Sequence, residues 1–278
     1  MVKVFFLYDV LRLDEKMLLD RLRARAQVEP LHVSSSILEI GGYAEADVAL
    51  QRSISFYRAM SSTVAVESWG IRVINNSLAL AMAEDKAWSL SVLYQHKIPV
   101  PRTLLAYSID SAVEAARKLG FPVVMKPLMG SWGRLAALAS DEEAARAIAE
   151  HREMLGSMYK VHYVQEYIDK PGRDIRAMCI GDGVPAAIYR VSNHWITNTA
   201  RGGRAEPAKV DPILEDLVIR SCKALKVEVG GVDVVEDPER GYVVLEVNAV
   251  PEYKNIARVT GVDIADEIAR YVVEQAKR

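Results

Sequence analysis

Three oxygen-bearing side chains lie close together on two apolar segments near the end of the chain. Glu246 and Asn248 interrupt the apolar run GYVVLEVNAV two residues apart, and Asp233 interrupts GGVDVVED, which precedes that run across the turn EDPERG. Side chains two apart on a strand share a face, so a hairpin would bring all three together. Buried carboxylates need cationic partners, and a set made only of oxygen ligands suits Mg²⁺. We therefore predict a metal site, with the polar outer face of an edge hairpin as the alternative.

A glycine-rich stretch, VVMKPLMGSWGR (residues 123–134), is a second candidate site. The phosphate-binding patterns GxxxxGK[ST] and GxGxxG are both absent from the chain. Small residues in a loop nevertheless let backbone N–H groups approach an anion closely, and Lys126 and Arg134 add positive charge. The stretch therefore fits a phosphate loop, although an ordinary glycine hairpin with flanking cations is the more frequent explanation of such a pattern.

Two further segments carry clustered polar groups. In YVQEYIDKPGRDIR (residues 163–176), an apolar strand ends at Glu166, and the backbone that follows could face the edge of an adenine ring. In RVSNHWITNTARGGR (residues 190–204), amide and guanidinium groups surround Trp195. Such groups bind carboxylates and phosphates. The alternatives are a strand with an acidic end and a solvated loop.

Composition excludes several classes of protein. The chain has 278 residues, of which 50% are hydrophobic, and a net charge of −2, so the totals predict two or three domains and no general affinity for nucleic acid or anionic lipid. No apolar run approaches the roughly 20 residues of a membrane span. MVKVFFLYDV is too short for a signal peptide, so we expect a cytoplasmic location. Cys179 and Cys222 are far apart, which predicts buried thiols and disfavours a zinc site.

The order of apolar segments predicts three domains. Residues 1–78 alternate strand and helix, with strands at 2–8, 47–50 and 71–74, which indicates a parallel α/β sheet. Residues 79–162 predict a small central α+β domain, entered by a helix that Ser77 caps and that runs to His96. Residues 163–278 predict a strand-rich domain, which one helix from Pro212 to Lys226 interrupts and another, residues 263–275, closes.

The order of these motifs resembles the ATP-grasp ligases of the RimK-like branch, and within it the LysX/ArgX family. The motifs are Lys86 in EDKAWS, Lys126 in VVMKPLMGSWGR, Glu166 in QEYI, Asp174–Arg176 in RDIR, Asn198 and Arg201–Gly203 in TNTARGG, Asp233, and Glu246–Asn248 in EVN. The resemblance covers essentially the whole chain and implies an ATP-grasp fold of class α/β (α+β). The implied fold comprises an N-terminal pre-ATP-grasp domain, a central domain with a lid loop and a C-terminal antiparallel-sheet domain.

The resemblance also implies a role for each candidate residue. Two Mg²⁺ ions would be held by Asp233, Glu246 and Asn248. The nucleotide ATP would be bound by Lys86, Lys126, the lid residues Gly130, Ser131, Trp132, Gly133 and Arg134, the adenine-binding segment Glu166, Tyr167 and Ile168, and Asp174, Arg190 and Asn198. The catalytic cations would be Arg176, Arg190 and Arg201. The substrate would be bound by His194, Trp195, Asn198, Thr199, Arg201, Gly202, Glu252, Lys254, Asn255 and Ile256.

Ligases of this family attach α-aminoadipate or glutamate to the C-terminal glutamate of LysW, a small acidic carrier protein. The γ-carboxyl of that glutamate is phosphorylated by ATP, and the amino acid displaces the phosphate through its α-amine. In the resemblance, an Asn-Thr or Asn-Ser pair after the E-[FY]-K stretch goes with aminoadipate and Gly-Phe goes with glutamate. This chain has Asn255–Ile256: Asn255 matches the aminoadipate form and Ile256 matches neither, which favours aminoadipate and leaves glutamate, or both, open.

The resemblance further implies a homo-oligomer, a dimer or a tetramer, and a basic surface for the carrier, for which Arg21, Arg23 and Arg25 are candidates. The alternative functions are that of a RimK-type glutamate ligase acting on a different acceptor and that of a nucleotide-binding protein without catalytic activity.

Overall fold

The first part of the chain forms a parallel sheet covered by helices, as predicted. A computed structural model describes residues 1–130, 133–197 and 202–277. The elements of the first part are β1 (Lys3–Tyr8), α1 (Leu13–Arg23), β2 (Gln27–His32), a 3₁₀ turn (Val33–Ser35), β3 (Val48–Gln51), α2 (Phe56–Glu67) and β4 (Val73–Ile74). All strands are parallel, in the order β2-β1-β3-β4. The buried side chains of β1 and β3 give the continuous apolar runs that indicated this sheet.

Strand β2 was missed by the sequence analysis. Its sequence QVEPLH is mostly exposed and contains Pro30. A proline and a polar pattern argue against a buried strand, and this strand occupies the edge of the sheet, where neither is excluded.

The single helix predicted from Ser77 to His96 is wrong in two respects. The helical region is divided into α3 (Ser77–Glu84) and α4 (Lys86–Gln95), and Asn76, whose side chain accepts from Ala79 N, caps α3. At the break, the side chain of Asp85 accepts hydrogen bonds from the N–H groups of Ala87 and Trp88, both at 2.9 Å. Asp85 therefore begins a new helix, and the junction turns Lys86 toward the central domain.

The central part of the chain is a small antiparallel sheet with two helices on it. Its elements are β5 (Thr103–Ala106), α5 (Ile109–Leu119), β6 (Val123–Lys126), β7 (Ala137–Ala139), α6 (Glu142–Glu153), a 3₁₀ turn (Ser157–Tyr159) and β8 (His162–Glu166). The strand order is β5-β8-β6-β7. Strand β8 pairs with β5 and β6, so it lies in the central sheet although the predicted third domain begins at residue 163.

The last part of the chain is an antiparallel sheet with helices on both faces. Its elements are β9 (Arg173–Ile180), β10 (Gly183–Val191), β11 (Arg204–Ala208), α7 (Pro212–Ala224), β12 (Val229–Asp237), β13 (Gly241–Asn248), α8 (Lys254–Thr260) and α9 (Ile264–Gln275). The strand order is β11-β10-β9-β12-β13. Helix α9 packs on α1 and on the sheet, in a core that includes Phe6 of β1 and Ile188 of β10, so the first and last parts of the chain share apolar contacts. Among the described residues, no helix is long and apolar enough to cross a bilayer.

The side chain of Asn75, which follows β4, connects the parallel sheet to the C-terminal sheet. It is 2% exposed, and its amide nitrogen donates to the carbonyls of Val229 and Ala249, both at 2.7 Å. Its oxygen accepts from the N–H groups of Glu228 at 2.6 Å and Val229 at 3.1 Å. One amide therefore fixes the start of β12 to the segment that follows β13.

We expect Asn75→Ala to destabilise the protein by about 3 kcal/mol or more, because it leaves several buried backbone groups without partners at roughly 1–3 kcal/mol each. Asn76→Ala is the matched control, since it removes one helix-capping bond to Ala79 N and should cost about 1 kcal/mol. Urea titration followed by tryptophan fluorescence measures both. Equal losses in the two variants would contradict this role of Asn75.

Candidate active site

The register of the C-terminal sheet brings the predicted polar residues to one face. Asp233 on β12 lies directly opposite Glu246 on β13 and directly opposite Arg176 on β9. Asp174, two residues before Arg176 and therefore on the same face, lies opposite Arg190 on β10. A bulge follows Asp233, where the pairing passes from Glu246 to Val244. Side chains from four adjacent strands thus form one continuous polar surface on this face of the sheet.

Buried ion pairs connect this surface. The Arg190 guanidinium donates to Asp174 through Nε at 2.6 Å and Nη2 at 2.8 Å, and its Nη2 lies 3.0 Å from Oδ2 of Asp233. Arg176 binds Asp233 through Nε and, at 2.9 Å, through Nη2. Burial alone would lower the pKa of Arg190, but the two aspartates outweigh it and raise that pKa. Arg190 is therefore charged, and both guanidinium groups are held by ion pairs with the aspartates.

Glu246 is held ionised at the centre of a group of cations. Burial acts to raise its pKa, but the attraction of Lys86, Arg176 and Lys126 prevails and lowers the pKa of Glu246 to about 2. The amide of Asn248 donates to Oε1 of Glu246 at 3.2 Å. Glu246 therefore offers a carboxylate at every physiological pH, as a metal ligand must.

Lys126 reaches the same place from the end of β6 in the central sheet. Its Nζ donates to Oε1 of Gln165 at 2.7 Å. Burial, reinforced by the nearby ammonium groups of Lys86 and Lys170, lowers the pKa of Lys126 to about 8, against the attraction of Glu246 and Asp233. This ammonium group is poorly solvated and lacks a full countercharge, a state that a bound phosphate would relieve.

The base of the glycine-rich loop is held by the junction between α3 and α4. Nζ of Lys86 donates to the carbonyl of Gly130 at 2.6 Å, and the N–H of Gly130 donates to Oε1 of Glu84 at 3.2 Å. The backbone N–H of Lys86 also donates to the carbonyl of Leu128 at 3.0 Å. Gly130 has a φ of 118°, a left-handed value that favours glycine. Burial raises the pKa of Glu84.

A first pocket lies between the central sheet and this polar face. Of the predicted residues, its lining contains Lys86, Lys126, Gly130, Gly133, Arg134, Glu166, Tyr167, Ile168, Asp174, Arg190, Trp195, Asp233 and Glu246. The side chain of Glu166 is turned to other partners, since its Oε1 accepts from Arg102 N at 2.8 Å and from Arg240 at 2.7 Å. The pocket combines cations, carboxylates and an apolar wall, as a nucleotide with its phosphates requires.

A second pocket adjoins the first on the other side of Arg190 and Glu246, which line both. Of the predicted residues it also contains Arg176, Asn248, Glu252, Lys254, Asn255 and Ile256. Ile256 is 1% exposed and contributes to the core beneath α8. The two pockets therefore present a common wall of opposite charges, across which groups bound on either side could react.

The remaining predicted residues are placed differently. His194 is exposed, accepts from Ile196 N through Nδ1 at 3.0 Å and lies beside the ring of Trp195. Gly202 has a φ of 91°, and neither residue belongs to the two linings described above. Ser131, Trp132, Asn198, Thr199 and Arg201 lie outside the described residues.

Sequence reasoning missed five polar or charged residues of these two pockets. They are Arg12, Glu84, Gln165, Lys170 and Thr197. Nζ of Lys170 donates to Oγ1 of Thr197 at 2.9 Å, and Thr197 donates to Asp174. Glu84 and Gln165 stand beside residues that were predicted, Lys86 and Glu166, so proximity in sequence was a usable signal. Arg12 gave none, because it reaches the site only through the tertiary fold.

Comparison with known proteins identifies the family. The sequence model of the RimK-like ATP-grasp domain matches residues 83–272, and that of the LysX preATP-grasp domain matches residues 4–82. The chain belongs to the RimK-like ATP-grasp family. A solved structure of this family, an ATP-grasp RimK domain protein from Sphaerobacter thermophilus, superposes with a TM-score of 0.81 at 28% identity, over 98% of this chain and 99% of that one. The ATP-grasp fold predicted from the sequence is thereby confirmed.

Two curated relatives in Sulfurisphaera tokodaii span nearly the whole chain. An α-aminoadipate–LysW ligase, LysX, is 40% identical and covers 98% of this chain and 98% of its own length. A glutamate–LysW ligase, ArgX, is 36% identical over 98% of this chain and 99% of its own length. The predicted resemblance to the LysX/ArgX branch of the RimK-like family is confirmed.

An ATP-grasp domain binds ATP, and the residues present fit a nucleotide with Mg²⁺. Two carboxylates and an amide place oxygen atoms that could bind Mg²⁺ on one face of the sheet, and Glu246 is ionised. Lys126 and Lys86 stand where phosphates would meet them. Among the described residues, no group of three or more His, Cys, Asp or Glu side chains is placed to hold a metal, so Asn248, water and phosphate oxygens would complete the coordination.

The pKa of Lys126 leads to a pH-dependent affinity for ATP. Phosphate prefers the charged ammonium, so the affinity should be constant well below pH 8 and should fall by up to about tenfold per unit as the pH rises above 8. Lys126→Arg keeps its charge over this range and should remove the dependence. Titration calorimetry with ATP between pH 7 and 9.5 measures this. The same decline in the wild type and in Lys126→Arg would contradict the role of Lys126.

Proposed function

We propose that this protein is an ATP-dependent ligase that joins the α-amino group of α-aminoadipate to the C-terminal glutamate γ-carboxyl of a small acidic carrier protein of the LysW type, releasing ADP and phosphate. The observation that carries the proposal is the common wall of the two pockets. Arg190 and Glu246 line both, so a phosphate donor in one pocket and an acidic substrate in the other would meet at these residues. The extensive identity with LysX supports the choice of reaction.

The arrangement suits transfer of a phosphoryl group to a carboxylate. A carboxylate must first be activated, because oxide is a poor leaving group, and activation places negative charge on the transferring oxygens. Arg176 and Arg190 are held in place by ion pairs with Asp233 and Asp174, so they would stabilise that charge with little reorganisation during the reaction. Mg²⁺, in one or two ions held by Asp233, Glu246 and Asn248, would supply further charge neutralisation on the phosphates.

The second step needs a site closed to water, because water would hydrolyse the acyl phosphate. The base of the glycine-rich loop is held by Glu84 and Lys86 through Gly130, and its described residues Gly130, Gly133 and Arg134 line the first pocket. We assign closure of the site to this loop. Lys86 would exchange its bond to the Gly130 carbonyl for a bond to phosphate, which ties nucleotide binding to the position of the loop.

We assign α-aminoadipate in preference to glutamate. The first turn of α8 carries Lys254, Asn255 and Ile256 along the second pocket, and Asn255 corresponds to the aminoadipate form of the motif. The substrates differ by one methylene, which is worth only about 1–3 kcal/mol in a pocket. Use of both amino acids is therefore physically reasonable, and glutamate, as in the ArgX relative, is the second candidate.

The arginines in and just after α1 are partly paired with acidic residues of α9 and its N-cap. Arg21 pairs with Asp263 at 2.7 Å and Arg25 with Asp266 at 2.5 Å, so both charges are balanced within the chain. This makes the patch Arg21, Arg23 and Arg25 a weaker candidate for an acidic partner than the sequence indicated. The homo-oligomer and the cytoplasmic location stay predictions.

Mass measurement of the carrier tests the function directly. Incubation with Mg-ATP, a LysW-type carrier and either amino acid should add one aminoadipate residue to the carrier and release ADP, with a smaller yield or none for glutamate. Reaction with glutamate alone would transfer the assignment to the second candidate. No mass gain with either amino acid, or release of AMP, would refute the proposal.

Glu246→Gln should reduce turnover by at least about a hundredfold while the protein stays folded, because it removes one of the two carboxylate charges that would hold Mg²⁺. Glu236→Gln is the matched control, since Glu236 lies on the neighbouring strand and forms a partly exposed ion pair with Arg173 at 2.7 Å. Turnover at saturating ATP over a range of Mg²⁺ concentrations measures both. Wild-type turnover in Glu246→Gln would remove Glu246 from the metal site.

A further inference from the structure

Residues 251–254, which precede and begin α8, are bound on one side by the N-terminal region. Arg52 Nη2 donates to the carbonyl of Pro251 at 3.0 Å, and Arg12 Nη1 lies 2.6 Å from Oε1 of Glu252. Tyr253 and Lys254 are bound by Asp14. These are the residues that lead into the part of the second pocket where the choice of amino acid would be made.

Asp14 serves as the cap of a helix that lies some 240 residues further along the chain. Its Oδ1 accepts from the N–H groups of Tyr253 at 2.6 Å and Lys254 at 2.8 Å, and the Tyr253 hydroxyl donates to the Asp14 carbonyl at 2.5 Å. Asp14 is 0% exposed. Tyr253, at the N-cap position of α8, makes no side-chain capping bond of its own. A carboxylate at a helix start satisfies its unpaired N–H groups and matches the helix dipole.

Buried ion pairs hold the N-terminal region in place on its side of this contact. Glu15 is 0% exposed and accepts from Arg12 at 2.9 Å and from Arg52 Nη2 at 2.9 Å. Burial acts to raise the pKa of Glu15, but the two arginines outweigh it and lower that pKa. Arg52, 1% exposed, also faces the ring of Tyr253 at 5.7 Å. Displacing one member of such a network leaves a buried charge unpaired, so the ion pairs favour a single arrangement of these side chains.

The topology of the parallel sheet accounts for this location. The order β2-β1-β3-β4 places neighbouring strands β1 and β3 where the winding of the sheet reverses. Ligands bind in such sheets beyond the carboxyl ends of the strands at this reversal. Arg12 follows β1 and Arg52 follows β3, so both arginines emerge at that crevice, and Arg12 itself lines the second pocket.

We propose that Asp14 and Arg12 are positioning residues for the amino-acid pocket, which fix residues 252–256 against the N-terminal region and so set the affinity and the length preference for the acidic amino acid. This inference rests on the proposed function, in that the second pocket takes the amino acid. A displacement of the first turn of α8 by about 1 Å is comparable to the length of one methylene, and misplacements of this size have large effects on reaction rates.

The test combines kinetics with binding. Asp14→Ala should raise KM for aminoadipate at least tenfold, bring the ratio of kcat/KM for aminoadipate over glutamate closer to one, and leave KM for ATP within twofold. Arg12→Gln, at a partly exposed position, should act in the same direction and serves if Asp14→Ala does not fold. Asp141→Ala is the matched control, because Asp141 caps α6 in the central domain through Ala144 N at 2.8 Å, and all three constants should stay within twofold.

An equal rise in KM for ATP and for aminoadipate would overturn the inference. So would an unchanged ratio of kcat/KM for aminoadipate over glutamate in both variants. Titration calorimetry of each amino acid, with a nonhydrolysable ATP analogue and Mg²⁺ present, separates it from the proposed function. If the wild type modifies no carrier yet binds an acidic amino acid that Asp14→Ala binds at least tenfold more weakly, the proposed function fails and the inference stands. If the wild type binds neither amino acid, both fail.

Discussion

The rest of the site depends on two aspartates and two arginines that neutralise one another across β9, β10 and β12. Asp174, Arg190 and Asp233 are each less than 7% exposed, and a buried charge without a partner costs several kcal/mol. A slip of one residue in any of these pairings would turn a charge into the apolar core on the opposite face. The ion pairs therefore fix the register, and the register in turn places Glu246 beside Asp233. The positions of the predicted metal ligands are a consequence of charge pairing.

The three sheets each bring a different component to this surface. The C-terminal sheet supplies carboxylates and arginines, the central sheet supplies Lys126 at the end of β6, and the parallel sheet supplies Arg12 and, through Asn75, the fixed end of β13. Burial acts against ionisation of Glu246 and Lys126 alike, but with different outcomes. For Glu246, the attraction of several cations outweighs burial and lowers the pKa. For Lys126, burial outweighs the attraction of the carboxylates, and the pKa of the ammonium group is lowered. The site therefore holds its carboxylate charge firmly and its lysine charge weakly before any ligand binds.

Local sequence patterns were enough to predict most strands, part of the polar face and the family. Apolar runs gave most strands, the spacing of Glu246 and Asn248 gave their common face, and the order of motifs gave the family. Features that depend on distant partners were not predictable. Asp14 caps a helix about 240 residues away, and α8 itself was missed, because its capping carboxylate is not adjacent in sequence. The break at Asp85 interrupts a helical pattern without glycine or proline, so sequence periodicity passed over it.

The residues that make strand β2 hard to predict from the sequence also protect its exposed edge. As the outer strand of the parallel sheet, it presents backbone groups to which a strand of another molecule could pair. Pro30, near its middle, has no N–H to contribute to such pairing, and the exposed Gln27 and Glu29 make the edge polar. The residues that prevented prediction of this strand from the sequence thus disfavour edge-to-edge aggregation of the protein. An apolar replacement of Pro30 would make the strand easier to recognise and the molecule harder to keep in solution.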